Sequence, residues 1–277
     1  MQKPGHEALR YEWKAGTYVP ENIIFCVDVD RETEMEMKSG GGKQQQGTAP
    51  AAPTFSRMDA VKQALLLFVH SKLTMNPHHQ FAFITLDRAA SWFQREYTNN
   101  VDLINSSIRN LSPQGSFQQF DISPLLLLGA SEGRLVQSQG RILRLVLIYC
   151  RSSVVPEFQK HLMERQKFTL DALYMHDKPA PNNCPQKVYD ALVDVLEHVS
   201  HHEGYIFESS SGSARTLFRH ICFLLSHPQQ RIVQEDLMSS VKDFAQMKPQ
   251  ADVVCNNTAP RPAEEGNNAA HTSGAGR

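Results

Sequence analysis

Six apolar runs in this chain have the length and composition of β-strands, and all but one of the links between them are long enough to carry a helix. The runs occupy residues 22–30 (NIIFCVDVD), 80–86 (QFAFITL), 90–97 (ASWFQREY), 142–149 (ILRLVLIY), 169–175 (TLDALYM) and 204–208 (GYIFE). The exception is the link 87–89, three residues that cannot hold a crossover, so the second and third strands must form an antiparallel hairpin. Elsewhere apolar residues recur at helical spacing over 56–72, 101–110, 121–132, 156–166, 185–200 and 213–226. The first of these opens with Ser56 and Asp59 in capping-box spacing. Parallel neighbours need right-handed crossovers. The pattern therefore predicts an α/β fold: a doubly wound, mostly parallel sheet with one antiparallel edge strand and helices on both faces, a Rossmann-like three-layer sandwich.

Three segments stand apart from this alternation. Residues 1–17 form a polar arm without the apolar stretch of a secretory signal, residues 39–54 (SGGGKQQQGTAPAAPT) form an insert expected to be disordered, and residues 248–277 a tail of the same kind. The folded domain is expected over 18–231, followed by an amphipathic segment over 232–247. Twenty-eight Lys and Arg against 29 Asp and Glu leave no basic footprint for nucleic acid and no polybasic membrane signal. Five scattered cysteines with no CxxC pair exclude a zinc knuckle of that spacing and fit a reducing compartment.

In such a sheet a ligand binds beyond the carboxyl ends of the strands. The first strand ends with Asp28, Asp30 and Glu32, oxygen ligands suited to a hard cation such as Mg²⁺, or equally a solvated acidic loop. The fourth ends with Cys150 and Arg151; the cation opposes metal binding there and is expected to pair with Asp28 or Glu32, and Cys150 reads as a buried structural thiol. His198, His201, His202 and Glu203 resemble a metal pair but fall where a helix ends, a position that suits cationic histidine. His78 and His79 follow Asn76-Pro77 and read as a solvated turn. Residues 209–213 (SSSGS) precede a helix and are either a phosphate cradle or an ordinary serine-rich loop. Gly40-Gly41-Gly42-Lys43 is not a P-loop, since Gln44 follows the lysine and no strand immediately precedes it. No motif has the spacing of an active site, and no cofactor is expected. The positive feature is an apolar stripe of Ile232, Val233, Leu237, Met238, Val241 and Phe244, which either caps the domain's own core or docks on a partner.

Several stretches resemble one family: VPENIIFCVDVD at 19–30, RMDAVKQALLLFVHSKL at 57–73, HQFAFITLDRAASWF at 79–93, ILRLVLIYCRS at 142–152 and LLSHPQQR at 224–231. They are similar to the MERIT family, the von Willebrand factor A (vWA)-like subunit of the BRISC and BRCA1-A deubiquitinase complexes, and in particular to its plant members. The resemblance implies a vWA-like fold. Domains of that fold carry a metal-ion-dependent adhesion site reading D-x-S-x-S, with a Thr on a later loop and an Asp after the fourth strand. Here Asp28 matches the first position, Asp30 and Glu32 stand at the two serines, Ser116 or Phe117 near the Thr, and Cys150-Arg151 near the Asp, so the metal site looks degenerate.

The resemblance further implies a non-catalytic scaffold in the nucleus and cytoplasm, acting in DNA damage response and ubiquitin signalling. It would bind a BRE-like, ubiquitin-conjugating-enzyme-like subunit and through it a JAMM deubiquitinase and an Abraxas-like subunit. Direct nucleic-acid or membrane contact is not expected. The chain has no JAMM-like H-x-H motif with its downstream Ser and Asp, and residues 1–17 offer nothing like the long acidic extension of animal members. Three other readings remain. The TFIIH small subunit also resembles the first strand and helix, but it carries a cysteine-rich zinc module where this chain has only Cys255. An α/β enzyme or nucleotide binder would use Asp28, Asp30 and the 209–213 loop. Cation-mediated adhesion would need Mg²⁺.

Overall fold

The computed structural model describes residues 18–37, 55–160, 166–209 and 213–246, with side chains through Val241. Six strands form one sheet: β1 (Glu21–Asp28), β2 (Gln80–Leu86), β3 (Ala90–Thr98), β4 (Ile142–Tyr149), β5 (Phe168–Met175) and β6 (Ile206–Ser209), in the order β3-β2-β1-β4-β5-β6. All neighbours are parallel except β2 and β3, so the antiparallel strand lies at an edge. This is the predicted doubly wound architecture, with the layout implied by the vWA resemblance. β1 lies in the middle and is buried at every position, which is why its sequence is a continuous apolar run rather than an alternating one.

The helices are α1 (Arg57–Met75), α2 (Val101–Asn110), α3 (Ser123–Ser138), α4 (Pro185–Val199), α5 (Ala214–Phe223) and α6 (Gln234–Gln246). One face of the sheet, with Ile24, Cys26, Leu145, Leu147 and Ala172, packs with Leu125 and Leu126 of α3 and Val188 and Leu192 of α4. On the other, Phe25 meets Phe68 of α1 edge-on at 5.5 Å and the rings of Phe81 and Phe83 beside it. Burying each such ring contributes about 1.5–3 kcal/mol. α1 begins with the expected capping box: the Ser56 hydroxyl accepts from the Asp59 N–H and the Asp59 carboxylate from the Ser56 N–H. Of the described residues, those from Leu237 to Gln246 belong to a second unit, separate from the domain.

Three readings of the sequence are corrected. The helix expected over 156–166 is not seen in its described part, where 156–159 are irregular. The Glu157 N–H donates to Phe120 O at 2.8 Å and its carbonyl accepts from Ile122 N–H at 3.0 Å, so a bridge to the neighbouring loop replaces the helical ladder. α3 runs six residues past Glu132, and Gly133 within it marks a close approach: a Cβ there would lie 2.9 Å from the Lys167 carbonyl oxygen. His79 is buried rather than solvated. The insert 39–54, the arm 1–17, the tail 248–277, Gly40–Lys43, Cys255 and residues 210–212 lie outside the described residues.

Gly204 is the tightest glycine: a Cβ built on it would sit 2.2 Å from the Leu170 carbonyl oxygen and 2.9 Å from Ser200 Oγ. Backbone cannot yield as a flexible side chain can. Gly204→Ala is expected to lower stability by about 1–3 kcal/mol, read as a fall in the urea midpoint without a change in slope.

Candidate functional site

The carboxyl ends of β1, β4 and β5 converge with the N-terminus of α1, and the side chains there cross-link these elements. Asp28 ends β1 fully buried and faces Arg151, which is equally buried just past β4. Asp28 Oδ1 accepts from Arg151 Nη2 at 2.9 Å and Nε at 3.1 Å; Oδ2 accepts from Nε at 3.2 Å and from the Cys150 N–H at 3.0 Å. The Asp30 N–H supplies a further donor to Oδ1 at 3.0 Å. Arg151 Nη2 also donates to the Leu86 and Asp87 carbonyls at 2.9 and 2.6 Å, so one guanidinium ties the ends of β1, β2 and β4. Phe117, Phe120 and Tyr149 lie around it, their ring centroids 5.2, 5.2 and 5.5 Å from Cζ.

The other two carboxylates of the first-strand motif are also engaged. Asp30 accepts from the Phe117 N–H at 2.8 Å and the Glu32 N–H at 2.9 Å, capping the short 3-10 turn Arg31–Glu34. Glu32 accepts from the Ser152 N–H at 3.0 Å and from its hydroxyl at 2.5 Å. Arg57, the first residue of α1, donates to the Glu32 carbonyl at 3.3 Å and pairs with Asp177 beyond β5. The Asp177 N–H in turn donates to Ser152 Oγ at 2.9 Å.

This donor set does not fit the divalent cation of a vWA adhesion site. A guanidinium and two backbone N–H groups are directed at Asp28, where a cation needs lone pairs free, and no group of three ligating side chains converges among the described residues. Burial raises the Asp28 carboxyl above its usual range against the pull of Arg151, while the Arg151 guanidinium, itself opposed by burial, is held above its usual value by Asp28. Cys150 is fully buried, and burial pushes its thiol well up, away from a nucleophilic thiolate. The structure brings Asp28, Asp30, Glu32, Cys150 and Arg151 to one place, with Arg151 on Asp28 rather than Glu32.

The remaining candidates are dispersed. His198 stacks edge-on against Phe158 at 5.6 Å, while His201 and His202 pack on each other beyond the end of α4. Of the C-terminal stripe, Ile232 belongs to the domain, its carbonyl accepting from Tyr205 OH at 2.8 Å, and Val233 is half exposed. Leu237, Met238 and Val241 lie in the second unit, and the side chain of Phe244 lies outside the described residues.

A second polar cluster, at the amino ends of the strands, was missed. Glu21 of β1, Arg144 of β4 and Asp171 of β5 are all fully buried. Arg144 donates to Asp171 Oδ2 at 2.6 Å and to Glu21 Oε2 at 3.3 Å; Lys72 of α1 pairs with Glu21; Arg231 binds both oxygens of Asp171 at 2.6 and 3.0 Å. Burial opposes the charge of Asp171, yet Arg144 and Arg231 hold its carboxyl down to about 2. Burial likewise pulls Lys72 down to about 8 against Glu21. The available signal was a single charge inside each of two apolar strands, Arg144 in ILRLVLIY and Asp171 in FTLDALYM, with opposite signs on runs expected in one sheet.

No protein-family model matches the chain, and no curated protein sequence does. Solved structures with a similar fold include a mutant of the PilB minor pilin from Streptococcus sanguinis (10% identity, TM-score 0.49), where the match covers 86% of this chain and 65% of the pilin. The VWA domain of SpRpn10 (14% identity, TM-score 0.47) is matched over 78% of this chain and 100% of its own. The vWF domain of the pilus tip protein Mfa5 from Porphyromonas gingivalis (15% identity, TM-score 0.34) is matched over 51% and 42%.

Proposed function

We propose that this chain is a non-catalytic scaffold: an adaptor subunit of a BRISC/BRCA1-A-like deubiquitinase complex that holds a BRE-like subunit and, through it, a JAMM deubiquitinase with its Abraxas-like companion. One observation carries the non-catalytic part. Arg151 fills the carboxylate of Asp28 at the strand ends where a metal or substrate would be held, and the nearby thiol is buried with its pKa raised. What then distinguishes the chain is surface, and the sequence stretches at 19–30, 57–73, 79–93, 142–152 and 224–231 support the particular complex.

The test is native affinity purification of the tagged chain from its own cells. Co-recovery of a BRE-like subunit and a JAMM deubiquitinase is expected, with chain-cleaving activity in that eluate and none in the chain purified alone. Recovery of transcription-repair subunits, or of the bait by itself, rejects the assignment. A chain ending at Asp236 keeps every contact of the first unit described above. It is expected to melt like the full chain while losing its partners if residues from Leu237 onward supply the docking surface.

A further inference from the structure

The folded domain is closed where its two ends meet, and two imidazoles sit at the closure. The entering stretch Tyr18–Glu21 meets residues 226–234, which leave α5 and turn back along β6. His227 caps the 3-10 turn Pro228–Gln230: its Nδ1 accepts from the Gln229 N–H at 3.3 Å, which leaves Nε2–H to donate to the Val19 carbonyl at 3.0 Å. The Tyr18 ring packs on it with centroids 5.1 Å apart. His79 repeats the arrangement from the turn before β2, its Nδ1 accepting from the Glu21 N–H at 2.9 Å. In both rings a backbone N–H occupies Nδ1, so each contact requires the neutral imidazole.

The returning segment also seals a sheet edge. The Gln234 side-chain amide accepts from the Ile206 N–H at 2.8 Å and donates to the Ile206 carbonyl at 2.6 Å, pairing with the outer side of β6 as a strand would. Arg231 on Asp171 and the Tyr205 hydroxyl on the Ile232 carbonyl hold the same segment.

The surroundings leave no room for more positive charge. Facing His227 are Glu21 of β1, Lys72 of α1, Arg144 of β4 and His79, with Arg231 following on its own segment and His202 coming from the loop after α4, while Arg141, before β4, faces His79 and donates to the His78 carbonyl at 2.7 Å. Asp171 is a further carboxylate of this cluster, already shared by two arginines, and Glu203 Oε1 accepts from the Gln234 N–H at 3.2 Å at the end of the segment. Lys72, Arg141, Arg144 and Arg231 thus stand against Glu21 and Asp171 before either imidazole is protonated.

We propose that His79 and His227 make this closure acid-sensitive, their protonation releasing residues 226–234 from Val19, Glu21 and the outer edge of β6 while the sheet stays folded. The sign follows from linkage. Burial holds both rings below the ordinary histidine value, His79 at about 4, so the closed form stays unprotonated where a released ring, near 6.5, takes up a proton. Closure is therefore strongest above pH 6.5 and weakens as pH falls toward the closed-state values. The opening constant rises by up to about tenfold per pH unit for each proton taken up.

Hydrogen exchange of the full chain at pH 7 and pH 5, corrected for the intrinsic pH dependence of exchange, reads this directly. Protection at Gln229 and Ile206 is expected to fall at pH 5 by tenfold or more, with Leu145 and Leu147 of β4 still protected. His227→Asn keeps an acceptor for the Gln229 N–H but cannot take up the proton, and should remove much of that pH dependence. Equal protection at the two pH values, loss of β4 protection in step with residues 226–234, or an unchanged pH dependence in His227→Asn would each overturn the proposal.

Discussion

Asp171→Ala is expected to lower stability by about 3–5 kcal/mol out of the 5–15 typical of a folded chain. The reason is asymmetry of loss. Asp171 accepts from Arg144, Arg231 and the Tyr205 N–H, and every one of these donors is buried. Removing the carboxylate leaves two guanidinium groups in the interior with only Glu21 and the Leu224 and Glu203 carbonyls near them. Arg231→Ala should cost less, because Arg144 still neutralises Asp171. The order of urea midpoints, wild type above Arg231→Ala above Asp171→Ala, checks the assignment. A pH series provides a second check. With its carboxyl held at about 2 rather than 3.8, Asp171 contributes about 2 kcal/mol that is present above pH 4 and lost as pH falls through 2.

Arg151→Ala tests the other end of the sheet and should lower stability by a similar 3–5 kcal/mol, or about 6–20 °C in Tm. It strips Asp28 of its guanidinium and leaves the Leu86 and Asp87 carbonyls without that donor. Two outcomes separate an internal ion pair from a disguised metal site. The double variant Asp28→Leu with Arg151→Met should recover the part of the loss that comes from the unpaired Asp28 charge, while the Cys150 and Asp30 N–H groups and the Leu86 and Asp87 carbonyls stay without these partners. Millimolar Mg²⁺ or Mn²⁺ should leave the Tm of Arg151→Ala where it is. A metal-dependent rise would show that Asp28, Asp30 and Glu32 still assemble a cation site once the arginine is gone.

The course of the chain was legible because it depends on local pattern. Apolar runs separated by helical periodicity dictate a parallel sheet, and a three-residue link at 87–89 dictates its antiparallel edge. The Asp28–Arg151 pair was legible for a different reason: both residues stand at carboxyl ends of strands expected in the same sheet, with opposite charge. Long-range polar closure was not legible. His79 looked like part of a solvated Asn-Pro turn because its partner, the Glu21 N–H, is remote in sequence. The role of Gly133 was not legible either, because the carbonyl that excludes a side chain there comes from Lys167. The irregular path at 156–159 arises from a bridge to Asp121, and the apolar spacing of that stretch reports nothing of it.

The central position of β1 has a consequence for how the chain comes off the ribosome. The first of these six strands to be made is flanked on one side by β2, but its other neighbour, β4, ends about 120 residues later. At a translation rate of 5–20 residues per second the interval is on the order of ten seconds. Throughout it a strand with a continuous apolar run from Ile23 to Val27 presents one unsatisfied row of N–H and C=O groups, the kind of edge that recruits strands from other chains. Yield during expression should then depend more on chaperone supply in that interval than on the stability of the finished domain.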